Sequence, residues 1–266
     1  ILASSRVGFA PFCKAALRGV KRMLKSLLVG NWKMHGTVET AANLASQLAE
    51  QWNMGNEAVE IAIFPPFVHI PAVASAVAKS AISIGAQNVS EFPAGAYTGE
   101  TSAEMLVDQG CKYALVGHSE RRAMQNESSE TVAEKFIAAQ SAGLIPILCV
   151  GESLQQRQDN RTVEVVSAQI AAVIDRAGLQ NVCRAVIAYE PVWAVGTGET
   201  ATPNQAQQVH SAIRAQLGEA GQSTPLLYGG SVKAENAAEL FAQPDINGGL
   251  VGGASLEANE FLNMRN

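Results

Sequence analysis

Along most of its length the chain alternates between two hydrophobic periods. Short apolar or β-branched runs recur at residues 27–31, 59–64, 82–87, 113–117, 145–150, 185–190, 226–229 and 249–251. The segments between them space apolar residues three and four positions apart among strong helix formers, as in residues 37–52, 128–143 and 202–218. That is the pattern of amphipathic helices. Thr202, Pro203 and Gln205 read as an N-cap, a first-turn proline and a capping-box partner. Strands that are apolar on both faces and alternate with helices specify parallel pairing through right-handed crossovers. Eight such units without a break in composition predict an α/β fold, a single (β/α)8 barrel of eight parallel strands over residues 23–266. An open doubly wound sheet is the alternative that periodicity alone leaves standing.

With 266 residues, 47% of them hydrophobic and 16% charged, the chain can bury a full core without staples. No Pro/Gly/Ser linker, internal repeat or low-complexity tract divides the barrel region. No uninterrupted apolar stretch approaches the ~18–20 residues of a membrane span, so a soluble protein is expected. Cys13, Cys111, Cys149 and Cys183 form no C-x-x-C pair. They read as packing residues with reduced thiols, as in the cytoplasm.

The net charge of −5 is unevenly spread. Residues 1–22 carry Arg6, Lys14, Arg18, Lys21 and Arg22 and no acid, which leaves 14 basic against 24 acidic residues in the rest. This extension is expected to be disordered or foreign to the native protein, with Met23 as the native start, although a transit peptide shares its composition. It precedes the first strand, which enters the barrel from the face opposite a barrel active site, so it is not expected to obstruct chemistry. The acidic body has no basic stripe for nucleic acid. An anionic substrate would therefore need the few cations gathered at one place.

Barrel enzymes carry their chemistry at the C-terminal ends of strands, so polar residues ending apolar runs are the informative ones. The first strand ends in Asn31-Trp32-Lys33, where Asn31 and Lys33 share the parity of the barrel side. The fourth ends in Gly117-His118-Ser119-Glu120-Arg121-Arg122. Ser119 reads as the cap of the following helix, whose positive end would hold His118 neutral. Glu120 reads as an ion-pair partner of the two arginines or as a residue that supports the site from behind. The sixth strand closes on Glu190 before Pro191; a carboxylate there is costly unless paired, hydrogen-bonded or protonated. Residues 192–198 join an apolar centre to glycines, as a hinged lid would. The seventh and eighth strands end in Gly229-Gly230-Ser231 and Gly252-Gly253-Ala254-Ser255. Their backbone N–H groups, with a helix starting at Ser255, suit a phosphate. His35, His69, His118 and His210 show no metal-ligand spacing, and no cofactor or metal is implied.

Taken together, residues 31–34, 117–122, 188–198, 228–231 and 251–253 resemble the triosephosphate isomerase family, over essentially residues 25–262. The resemblance implies metal-free interconversion of glyceraldehyde 3-phosphate and dihydroxyacetone phosphate, in glycolysis and gluconeogenesis. It implies Glu190 as base, a neutral His118 as electrophile, and Lys33 with Asn31 at the enediolate and phosphate. The phosphate would meet Gly196, Ser231, Gly252 and Gly253 under a lid of residues 191–198. Residues 87–100, long for a barrel connection, would reach a neighbouring subunit with Thr98 near the tip, giving a homodimer. Val195 and His35 replace an isoleucine and an asparagine common in the family, without removing a catalytic group. Another phosphosugar barrel enzyme would need a Schiff-base lysine or metal ligands, and a barrel that only binds phosphorylated ligands remains the non-enzymatic alternative.

Overall fold

A computed structural model describes residues 25–52, 58–194 and 200–265. The extension of residues 1–22 and the expected barrel boundary at residue 23 lie outside this range. Eight strands, β1 (Ser26–Asn31), β2 (Val59–Phe64), β3 (Ser83–Ala86), β4 (Cys111–Val116), β5 (Ile145–Val150), β6 (Val186–Tyr189), β7 (Leu226–Tyr228) and β8 (Gly248–Val251), close into a barrel in chain order. Every pairing is parallel, and β8 returns to β1 with Gly249 opposite Leu28. The chain is thus a (β/α)8 barrel, and the open sheet is excluded.

Outside the strands lie α1 (Val38–Gln51), α2 (Ile70–Val77), α3 (Ala103–Asp108), α4 (Ser119–Met124), α5 (Ser129–Ser141), α6 (Leu154–Gln158), α7 (Thr162–Ala177), α8 (Leu179–Cys183), α9 (Pro203–Leu217), α10 (Ala234–Phe241) and α11 (Ala258–Asn263). The Thr202 box is formed as the sequence predicts: its hydroxyl accepts the Gln205 N–H at 3.2 Å, and the Gln205 side chain accepts the Thr202 N–H at 3.0 Å. No described helix is long and apolar enough to cross a membrane.

Alternation along each strand divides the core in two. Leu27, Val29, Phe64, Leu115, Ile147, Ala188 and Leu227 fill the barrel, while Leu28, Ile61, Ile63, Val116, Leu148 and Ile187 face the helices. Fully buried rings such as Phe64, Phe136 and Phe261 each contribute roughly 1.5–3 kcal/mol. This parity delivers Asn31 and Glu190 to the barrel axis at the strands' C-terminal ends.

Candidate active site

At that end, a cleft of about 250 Å³ is lined by Asn31, Lys33, His118, Glu190, Ser231, Gly252 and Gly253. These are all the predicted site residues except Gly196, which lies outside the described residues. Asn31, His118 and Glu190 are buried.

Lys33 sits just beyond β1 in a left-handed conformation, φ 52°, unusual for a residue with a side chain. Its N–H donates to Asn31 Oδ1 at 3.1 Å, and its carbonyl accepts from Gln87 Nε2 at 2.8 Å. Both bonds hold the strained backbone, and the side chain runs over Gly252, where a β-carbon would stand 3.3 Å from its Cε. Its Nζ lies 2.5 Å from Glu120 Oε1. Glu120 is therefore the partner of Lys33, the second of the two readings the sequence left open, and not of the arginines. Arg121 pairs with Glu127 at 2.6 Å instead, and Arg122 donates to the Gly117 carbonyl.

His118 does not follow from parity, since Gly117 takes the inward position after Leu115. Gly117 has φ 71°, and that turn brings His118 round to the cleft. The ring itself caps α4: Nδ1 accepts the Glu120 N–H at 3.3 Å. Ser119, expected as the cap, is instead the first helical residue, and both its donors serve Glu190. Its N–H reaches Glu190 Oε2 at 2.9 Å and its hydroxyl reaches Oε1 at 3.3 Å. His118 Nε2 lies 3.0 Å from Glu190 Oε1. A ring that accepts at Nδ1 carries its proton on Nε2, pointing at the carboxylate.

The electrostatics follow from these contacts. Burial opposes the Glu190 carboxylate, but His118 and the Ser119 donors outweigh it and hold the pKa below the ordinary value. Burial also opposes an imidazolium at His118, yet the Glu190 and Glu120 carboxylates more than offset it and lift that pKa. The lift thus depends on Glu190 remaining where it is.

The glycine-rich ends of β7 and β8 form the opposite wall. The turn after β8 is a 3-10 turn, Gly253–Leu256, two residues earlier than the helix start expected at Ser255. Ser255 is buried and donates its hydroxyl to Gly252 O at 2.7 Å, so it closes the turn from behind. Lys233, which the sequence did not single out, also lines the cleft. Nothing in its local pattern distinguishes it from a surface lysine.

The start of the expected lid and the chain beyond it are both fastened. Trp193 Nε1 donates to Glu152 Oε1 at 3.0 Å, and Tyr189 OH to the same oxygen at 3.1 Å. The Ala201 N–H donates to Tyr228 OH at 3.2 Å. Glu152, at the end of β5, escaped the sequence reading because its role depends on partners on other elements.

A barrel with a carboxylate, an imidazole and a lysine converging on a glycine-lined anion cradle is the architecture of a barrel enzyme for small phosphorylated substrates. The family model described as triosephosphate isomerase matches residues 26–266. The triosephosphate isomerase of Thiobacillus denitrificans is 53% identical over 244 residues, covering 90% of this chain and 97% of that protein. Those of Pseudomonas aeruginosa and Halorhodospira halophila are 53% and 51% identical, covering 90% and 92% of this chain and 96% and 98% of their own lengths. The chain belongs to the triosephosphate isomerase family.

Proposed function

We propose that the chain carries out the reaction its family is named for, interconverting D-glyceraldehyde 3-phosphate and dihydroxyacetone phosphate, with Glu190 as base and His118 as electrophile. The observation that carries this reading is the pair itself, a buried carboxylate and a buried imidazole 3.0 Å apart, facing the glycine-lined wall. The carboxylate leaves Ser119 for the substrate and takes the carbon-bound proton beside the carbonyl. His118 Nε2–H meets the carbonyl oxygen as it gains charge and passes a proton between the two substrate oxygens, so that the old carbonyl becomes a hydroxyl and the old hydroxyl a carbonyl, while Glu190 returns its proton to the neighbouring carbon. When Glu190 moves, the main upward influence on His118 goes with it. The Glu120 N–H still donates to Nδ1, which keeps the ring neutral as the electrophile requires.

Lys33, with Asn31, supplies charge and orientation to the enediolate and phosphate, and Ser231, Gly252, Gly253 and Gly196 receive the phosphate. Residues 191–198 act as the lid, because an enediolate phosphate exposed to water tends to eliminate phosphate. The reaction moves protons only, so it calls for no cofactor. It belongs to glycolysis and gluconeogenesis in the cytoplasm, a setting in keeping with the free, buried thiols of Cys111, Cys149 and Cys183. Residues 1–22 take no part in the proposed chemistry.

The same reading makes the protein a homodimer. Met34, Val68, Tyr97 and Met124 are exposed apolar residues, and a groove of about 390 Å³ lined by Met34, Phe67, Gln87, Met124 and Gln125 runs beside Lys33 and His118. Loop 87–100 of a partner, with Thr98 near its tip, fills that groove. Sedimentation of the parent as a dimer and of Thr98→Arg as a weaker one is expected; a monomeric parent would remove this part of the reading.

The activity test is isomerisation of D-glyceraldehyde 3-phosphate, coupled to reduction of dihydroxyacetone phosphate, with Glu190→Gln alongside. Turnover that collapses in the variant is expected, and turnover equal in the two refutes the assignment of the base.

A further inference from the structure

Arg121 and Arg122 are adjacent but lie in different surroundings. Arg121 turns outward to Glu127. Arg122 folds back under the end of β4: its Nε donates to the Gly117 carbonyl at 2.9 Å and its Nη1 to Ser129 Oγ at 3.2 Å, at the start of α5. Its Nη2 is buried without a hydrogen-bond partner and lies 2.9 Å from where a β-carbon on Gly117 would stand. The guanidinium is therefore packed against the one residue whose left-handed turn delivers His118 and Ser119 to the cleft.

Its charge also reaches the site. Burial disfavours a charged Arg122, and the carboxylates acting against that burial include Glu190, Glu127 and Glu130. Among the described residues, the charged and titratable groups around the Glu190 carboxylate are His118 after β4, Cys149 on β5, Lys33 after β1 with its partner Glu120, Lys233 at the mouth, and Arg122. Among them Lys33 is drawn to Glu120, and β7 faces the carboxylate with Gly229. Arg122 is the cation held in place by packing, apart from the substrate cleft.

We propose that Arg122 is a positioning residue for the isomerisation: it holds the Gly117 carbonyl, and with it the corner carrying His118 and Ser119, and keeps a positive charge within electrostatic reach of the Glu190 carboxylate. The proposal rests on the assignment of Glu190 and His118 made above. Lysine at this position would keep the charge but not the guanidinium fork, so the two contributions are separable.

The experiment measures kcat, KM and the pH profile of kcat/KM for Arg122→Gln, Arg122→Lys, Ser129→Ala and Glu190→Gln in the full chain. Arg122→Gln is expected to lower kcat about tenfold, the effect of one lost hydrogen bond to a charged group, with KM within about twofold. The acid limb of its kcat/KM profile is expected to move up in pH. Arg122→Lys is expected to restore the limb but not the full kcat, and Ser129→Ala to match the parent. Arg122→Gln with kcat within twofold and an unmoved limb overturns the proposal. If that variant does not fold, Arg122→Lys decides: full kcat overturns the proposal, and reduced kcat with the parent's limb supports it. Collapse of Glu190→Gln beside an unaffected Arg122→Gln removes this inference alone, whereas an active Glu190→Gln removes the assignment of the base and this inference with it.

Discussion

Ser119 holds Glu190 twice, through its backbone N–H to Oε2 at 2.9 Å and its hydroxyl to Oε1 at 3.3 Å. A carboxylate so held is kept in its charged form. Ser119→Ala keeps the backbone donor and removes the hydroxyl, one of the groups that lower the Glu190 pKa. The acid limb of kcat/KM is expected to move up in pH, with kcat changed by no more than about tenfold, since the bond lost is long and the shorter one stays. A pH–rate profile of the variant with an unmoved limb would show that the hydroxyl does not tune the base.

Lys33 combines a strained backbone with a side chain that the proposed reaction uses. At φ 52° a residue with a β-carbon costs of order 1–3 kcal/mol, and glycine there costs far less. Lys33→Gly is therefore expected to lose activity by at least about 10²-fold, the scale of losing one preorganised electrostatic group, while holding or gaining up to about 1 kcal/mol of stability in urea. A variant as active as its parent, or one markedly less stable, would contradict this account of the strain.

Most of this architecture was legible in the chain because barrel strands announce themselves. They are apolar on both faces, so their number and order could be read from β1 to β8, and the parity of Asn31 and Glu190 followed from the pleat. The features that were not legible depend on turns and long-range partners. His118 lies out of parity, and the signal was Gly117, whose value as a hinge shows only with its φ. The expected Ser119 cap failed because the imidazole competes for the same helix N–H groups and Ser119 is drawn to Glu190, 71 residues away. For Glu120 the sequence leaves a choice between its arginine neighbours and a supporting place at the site, and the barrel decides it by bringing Lys33 from β1. The roles of Gln87, Glu152 and Arg122 have the same origin: each is defined by a contact that no local pattern encodes.

Glu127 offers a test of stability against pH. Burial opposes its charge, but Lys135 at 2.5 Å and Arg121 at 2.6 Å outweigh that and lower its pKa. Its folded pKa is below the unfolded one, so its stabilisation is complete above the ordinary carboxylate value of about 4.3 and is lost as pH falls through the lower, folded value. Glu127→Gln leaves the buried Lys135 without its carboxylate and is expected to cost about 3 kcal/mol at neutral pH. The gap to the parent in urea unfolding should begin to narrow as pH falls below about 4.3 and close only below the lower, folded value, where the parent's carboxyl is protonated in both states. A gap independent of pH would mean that packing, not charge, is what the substitution removes.

Tyr228 bears on the fate of the enediolate once the proton has been abstracted. Its hydroxyl accepts the Ala201 N–H at 3.2 Å, one residue before the Thr202 cap of α9, so it fastens the chain just after the lid. Tyr228→Phe removes that acceptor and leaves the buried Ala201 N–H unpaired, a loss of about 1–3 kcal/mol. If the bond serves the closed arrangement, the loss appears in turnover, roughly 10- to 100-fold in kcat, with little change in the fold. A loosened lid would also admit water to the enediolate, so the variant should release more inorganic phosphate per isomerisation than its parent. Both quantities come from one reaction mixture, followed by the coupled reduction and by a phosphate assay. A fall in kcat with an unchanged phosphate ratio would place the role of Tyr228 in substrate binding or packing, and a rise in the ratio would tie the phenol to the exclusion of water.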